Sequence, residues 1–234
     1  MRAATAIVWL LCATVAAGTS AAAPPVDVTA ASYAELDDRS GIWTLRGNPV
    51  TIRRGPITVR APSITYDTRL LIVHATGGVS YSDESLSIEA PQITAWIMEE
   101  RALAQDRVVA TQPRQNVRIT AGRLEVFCRE QRVLATGPAA ISSPDGSLSG
   151  DRIEAFGGRD EVVADGAARL TYEDIEGSAP RIVLRRRDGL AVFSGGAVLR
   201  QGHNEVRAEV ITADLRRRRV TASGQAAITV HPER

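Results

Sequence analysis

Histidine, cysteine and clustered carboxylates are the residue types through which a chain of this size would do chemistry. Three histidines, His74, His203 and His231, could serve as acid, base or metal ligand. No two lie close enough in sequence to form a local ligand pair, and none has a helical His-x-x-x-His frame. His203-Asn204-Glu205 sets an imidazole and a carboxylate on one strand face, yet no third ligand follows, so it reads as a polar turn. His74 falls on the polar face of a strand and His231 beside the terminus. Cys128 has no fitting histidine partner and reads as a small packed or surface residue, not a nucleophile. Gly146-Ser147-Leu148-Ser149-Gly150 has the outline of a nucleophile elbow, but Leu148 stands where the serine must be. The acidic pairs Glu99-Glu100 and Glu173-Asp174 are adjacent in sequence, so on a strand their members would point to opposite faces and could not share a substrate. There is no phosphate-cradling loop and no dinucleotide fingerprint. The expectation is no catalytic residue, no metal and no cofactor: not an enzyme. Two charge runs remain, Arg185-Arg186-Arg187 and Arg216 to Arg219. They read as solvated hairpin tips that discourage strand aggregation, the competing reading being contact with lipid phosphates.

What must position any such residues is an all-β scaffold. The pattern apolar-x-Ala-x-Gly recurs as Val73 to Gly77, Val133 to Gly137, Val162 to Gly166 and Val220 to Gly224. Looser copies are Trp43 to Gly47, Val108 to Gln112 and Phe193-Ser194-Gly195. The period is about 29 to 30 residues, with Gln112 taking the glycine slot between Gly77 and Gly137. This pattern reads as a strand ending. A second signature, alternating apolar residues, then Ala or Gly, then Ile or Val, is seen at Ile57 to Ile64, Leu86 to Ile93, Leu148 to Ile153 and Val206 to Ile211. Strict alternation over such lengths marks short, half-buried strands. Pro62 and Pro91 sit mid-signature and cannot donate to a ladder, which predicts a bend or bulge. Ser143-Pro144-Asp145-Gly146, Arg187-Asp188-Gly189 and Gly77-Gly78 are turn signals. No helical period follows the first residues. The small Ala and Gly slots fit plain packing and an open slot between sheets equally well.

Composition agrees. Apolar residues make up 44% and charged residues 24% of 234 residues, enough to bury a core. All 28 basic residues are arginine, balanced by 27 acids, and this near-neutrality argues against nucleic acid as a partner. Arg2, the apolar run Ile7 to Ala17 and Ser20-Ala21-Ala22 read as an export signal over residues 1–22, cleaved near Ala22; a retained membrane anchor is the alternative. Residues 23–234 form one domain. Without Cys12 no intrachain disulfide is possible.

The iterated order of these two signatures, as in Val133 to Gly137 followed by Leu148 to Ile153, resembles the LptA/OstA-type periplasmic lipopolysaccharide-transport proteins, over about Val28 to Val230. The resemblance implies an open β-jelly roll of two facing antiparallel sheets with an apolar groove for acyl chains. It also implies lipopolysaccharide or a related glycolipid as ligand, a periplasmic location, other envelope transport proteins docking through edge strands, and head-to-tail homo-oligomers. The alternating faces predict that Ile57, Val59, Ile64, Leu86, Ile88, Ile93, Leu124, Val126, Leu148, Ile153, Ile182, Leu184, Val206 and Ile211 line that groove. The alternative function is a structural β-repeat that assembles without carrying lipid.

Overall fold

The computed structural model describes residues 27–83 and 86–230; the expected export signal lies outside them. The chain runs as one antiparallel meander. Its strands are β1 (Asp27–Asp37), β2 (Ile42–Arg54), β3 (Ile57–Asp67), β4 (Ile72–Ser82), β5 (Ser87–Trp96), β6 (Arg101–Gln112), β7 (Val117–Phe127) and β8 (Arg132–Ser143). They continue as β9 (Gly146–Phe156), β10 (Glu161–Tyr172), β11 (Ile175–Arg185), β12 (Leu190–Gln201), β13 (Asn204–Asp214), β14 (Arg219–Ser223) and β15 (Ala227–Thr229). Each strand from β2 to β12 pairs with its two sequence neighbours, and β14 and β15 both pair with β13. Among the described residues the sheet does not close: β1 is bonded only to β2, and β14 and β15 only to β13. A single 3₁₀ turn, Pro113–Gln115, is the one helical element among the described residues.

The strands are longer than the short ones read from sequence, because apolar-x-Ala-x-Gly does not end a strand. It crosses the strand's middle. Gly77-Gly78 on β4 lie opposite Pro91 on β5, and Gly195-Gly196 on β12 lie opposite Glu209 on β13. Asp106-Arg107 face Gly122, Gly137-Pro138 face Asp151, and Gly166-Ala167 face Pro180 in the same way. Two residues opposing one is a β-bulge, which bends the bulged strand and increases its twist. Five such bulges in register make a continuous crease along the sheet. Gly77 shows why glycine serves there: its φ is +91°, and a Cβ would lie 3.1 Å from the Pro62 ring on the neighbouring strand. The bend expected at Pro62 and Pro91 is therefore found, whereas Gly77-Gly78 is a mid-strand bulge and not a turn between strands. The repeat copy expected at Gln112 is also displaced. Gln112 ends β6, and the crease slot is filled by Asp106 and Arg107, with φ of +67° and +56°.

The crease folds the sheet on itself, so the two facing sheets expected from sequence are two halves of one. Phe193 proves the closeness of the halves. Gly177 pairs with Leu199 on β12, six residues beyond Phe193, which on a straight strand would be roughly 20 Å away. A Cβ at Gly177 would nevertheless overlap the Phe193 ring, 2.6 Å from Cζ. The result is an open jelly roll with a closed spine at the crease and a mouth where two rows of turns meet.

One row of turns carries its own repeat. Gly41, Leu71, Glu100, Gln131, Asp160, Gly189 and Arg218 all have left-handed φ, between +49° and +74°. From turn to turn, the N–H of Thr68, Ile97, Cys128, Gly157, Arg186 and Leu215 donates to the carbonyl of the preceding left-handed residue, at 2.8–3.1 Å. These bonds pair the polar backbone of the hairpin tips. Glu99 and Glu100 stand in one of these tips and not on a strand; Glu173 and Asp174 stand in the opposite row.

Candidate lipid groove and its mouth

Between the halves, small and large side chains face each other across neighbouring strands beside the crease. Ala75, Ala104, Ala135 and Ala164 pair with Ile64, Leu124, Ile153 and Ile182, and Ala61, Ala90 and Ala121 pair with Val50, Val79 and Val108, all of them buried. The small-residue slots in the sequence are the small partners of these pairs.

Of the fourteen residues expected to line a groove, nine are buried and five half-buried. Ile64, Leu86, Ile88, Leu124, Val126, Leu148, Ile153, Ile182 and Ile211 are buried, and Ile57, Val59, Ile93, Leu184 and Val206 are half-buried. They come from alternate strands only, flanking or within β3, β5, β7, β9, β11 and β13. The intervening strands contribute an equal wall that the sequence reading missed, including Val50, Val79, Val108, Val133, Val162, Leu170, Phe193 and Leu199. Their signal was present, an apolar residue two before each Ala slot and two or more after each crease, but it was read as the end of a strand.

The interior is not uniform along the meander. Around β2 to β4 a small buried cluster of Leu45, Val50, Ala61, Ile64, Ala75 and Val79 is bordered by half-buried Ile52, Val59 and Val73. From β5 to β13 the cluster is larger and self-filled, with Phe193, Ile182 and Ile211 at 0% exposure. A cleft of about 100 Å³ remains at the mouth, walled by Val117, Ile141, Leu148, Val162, Leu170, Leu184 and Leu215, and edged by Ser143, Ser147, Thr171 and Tyr172.

Over this cleft the two rows of turns are bridged. Arg218, after β13, places Nη2 2.6 Å from the Asp174 carboxylate and Nη1 3.7 Å from Glu173, both after β10. All three side chains are solvent-exposed, so each pair is worth no more than about 1 kcal/mol and is screened by salt. Tyr172 at the rim has its phenol pKa raised, first by burial and then by Glu173 and Asp145.

The arginine runs do sit at hairpin tips, as their spacing suggests, but Arg186 is not solvated. It is 6% exposed and lines the cleft. Its Nη2 pairs with the Asp160 carboxylate, and its Nε and Nη1 are buried without a hydrogen-bond partner. Burial lowers its pKa from the ordinary guanidinium value, against the opposite pull of Asp160. A buried donor left unsatisfied costs about 1–3 kcal/mol.

The outer face is polar and does a different job. Glu125 is held by Arg101, whose Nε lies 2.7 Å from Oε1, and by Arg123 at 3.4 Å. Arg101 stacks over Trp96 and Arg132 over Phe127, at 4.6 and 3.8 Å from the ring centres. His74 Nδ1 lies 2.8 Å from Thr94 Oγ1 on the neighbouring strand, and His203 occupies an exposed turn; His231 is outside the described residues. Among the described residues no group of three or more His, Cys, Asp or Glu could hold a metal ion.

A lipopolysaccharide-transport family model, described as LptA/(LptD N-terminal domain) LPS transport protein, matches residues 87–219, more than half of the chain. The chain belongs to the LptA/LptD N-terminal domain family. The match starts at β5 and ends at the first residue of β14, so the cleft, Arg186 and the self-filled cluster apart from Leu86 lie inside the family segment. No curated protein matches the chain. Among solved structures it is similar to LptH, the LptA-homologous periplasmic component of the lipopolysaccharide transport device of Pseudomonas aeruginosa, with 20% identity and a TM-score of 0.43 over 48% of this chain and 82% of that one.

Proposed function

We propose that this LptA/LptD N-terminal domain family member carries lipopolysaccharide or a related glycolipid through the periplasm, with acyl chains held between the two halves of the sheet. The observation that carries the reading is the apolar interior of an unclosed fold, bounded by a mouth whose rims are joined by exposed ion pairs and not by strand pairing. At about 0.8 kcal/mol per buried CH₂, a twelve-carbon chain gains on the order of 10 kcal/mol gross, reduced by the cost of association and ordering. No polar anchor is needed to hold it. The cleft as it stands is too small for such a chain, so loading requires the halves to part along the mouth, where the holding forces are weakest. The half-buried lining of β2 to β4 is the part of the groove most ready to accept a chain without displacing packed side chains. Delivery along a bridge follows from the two open edges, β1 on one side and β14 with β15 on the other, through which copies or other envelope transport proteins dock by strand addition.

A photo-crosslinking residue at Val59 or Ile88 tests the carriage directly, because both side chains face the interior. Adducts with lipopolysaccharide in envelope-extracted protein support it. Absence of adducts at both, with native mass spectrometry showing bare protein, would overturn it. The filled cluster around Phe193 favours a second reading, a structural β-repeat that assembles without cargo, and that same bare-protein result would support it.

A further inference from the structure

Arg186 combines three facts that packing alone leaves unexplained. It is 94% buried by its 6% exposure, it faces an apolar cleft, and Nε and Nη1 have no partner. Those two atoms carry three N–H bonds, and a guanidinium has no acceptor of its own, so only an acceptor group can satisfy them. The charge beside them is already balanced once by Asp160. Arg216 stands next to it, donating from Nη2 to the Arg186 carbonyl at 3.4 Å, while Asp145 lines the same cleft and opposes a second anion. We propose that Arg186 is the receptor for an oxyanion carried on an acyl chain: a phosphate or carboxylate head accepts from an unpartnered N–H of Nε or of Nη1, which lie on opposite edges of the guanidinium, and the chain lies along Leu184, Val162 and Leu148. The inference rests on the reading that acyl chains enter between the halves. It assigns to one residue the task of setting the depth and polarity with which a loaded lipid sits, since a desolvated, charge-assisted hydrogen bond is directional where the apolar walls are not.

The test uses the full envelope-extracted chain, delipidated, titrated calorimetrically with dodecyl phosphate, dodecanoate, dodecyl maltoside and inorganic phosphate below micellar concentrations. The expected result is dodecyl phosphate at least tenfold tighter than dodecyl maltoside, with inorganic phosphate far weaker than either. The preference falls to near unity in R186Q and is partly kept in R186K. D160N moves the other way: with its competing carboxylate gone, Arg186 prefers the anionic head by a larger factor, and dodecyl phosphate raises the melting temperature of D160N more than that of the parent. That opposite sign decides the matter even if R186Q fails to fold. Dodecanoate matching dodecyl phosphate supports a site for the shared oxyanion; phosphate alone matching dodecyl phosphate overturns the lipid form of the proposal. Chain binding with no head-group preference, or a preference that survives R186Q, overturns the role of Arg186 and leaves carriage standing. No binding of any twelve-carbon chain overturns carriage and this proposal together.

Discussion

Phe193 and Gly177 offer a way to test the folded-over sheet without any ligand. Phe193 is fully buried and its ring occupies the notch left by the missing Cβ of Gly177. Truncation to Ala removes a whole ring from a filled region, which should cost about 3–5 kcal/mol as lost transfer energy plus a residual cavity. Gly177→Ala places a methyl 2.6 Å from Cζ of that ring. Gly177 has no left-handed φ, so the backbone tolerates Ala and the penalty, about 1–3 kcal/mol, is overpacking alone. In the double variant the new methyl enters the space the ring has left. The two penalties should then fail to add, by about 1 kcal/mol or more in the direction of rescue. Urea denaturation of the four proteins, extrapolated linearly and with m-values checked for constancy, measures the cycle. Additivity within about 0.5 kcal/mol would refute the contact. It would mean that the two halves of β11 and β12 do not face each other as the crease requires.

Ala90→Phe forces a ring into the spine, where Ala90 is 5% exposed, and should cost about 1–3 kcal/mol in thermal unfolding by circular dichroism; unchanged stability would mean the slot is open. Arg218→Ala removes the bridge across the mouth and should lower stability by less than about 1 kcal/mol. It should also make uptake of a fluorescent fatty acid fast at low and high salt alike, whereas uptake by the parent should speed up with salt; equal salt dependence in both proteins would count against the bridge as a gate. Ile228→Pro breaks the outer strand β15, where Ile228 is 65% exposed, and should reduce the mass of assembled species in light scattering. The Glu205 carboxyl is held below its ordinary pKa by hydrogen bonds from Arg200 and then Arg207. Its depressed folded value means that its small contribution is present above the ordinary carboxylate pKa and is lost as pH falls through the lowered one. Arg200→Ala should return the midpoint toward the ordinary value in an NMR titration, and an unmoved midpoint would exclude that cause.

Alternation along Leu86 to Ile93 and its counterparts marks one apolar face on each strand, because a period of two leaves only one face for the apolar set. The crease was harder to see. Gly77 and Gly137 look like turn residues, and nothing local distinguishes a glycine that ends a strand from one that bends it; the difference lies in the one residue, Pro91 or Asp151, that the neighbouring strand places opposite. The same gap hid the slot at Asp106-Arg107, since two charged residues in left-handed conformation carry no glycine signal. Phe193 occupies a position that is Ala in five other strands, and its partner Gly177 is sixteen residues away, so their complementarity exists only in the folded sheet. Arg186 was read with its run. Runs of one charge are usually solvated, and only the packing of the mouth shows that the middle arginine of three turns inward while Arg185 and Arg187 remain exposed.

The crease also gives the molecule a parity. Along the meander the two-residue side of each bulge falls on even-numbered strands and the one-residue side on odd-numbered ones. β14 and β15 together occupy the fourteenth place, split at Gly224-Gln225, while β1 stands at the first. A second molecule laid with its β1 along the β14–β15 edge would therefore present an odd strand to an even one, antiparallel and with its crease in phase, so that the seam between molecules would repeat the seams within each. Two β1 edges, or two β14–β15 edges, would set like against like and throw the creases out of phase. Among the described residues the even number of strand places thus gives the sheet a polarity, and an array grown by that rule would have one direction and no intrinsic length.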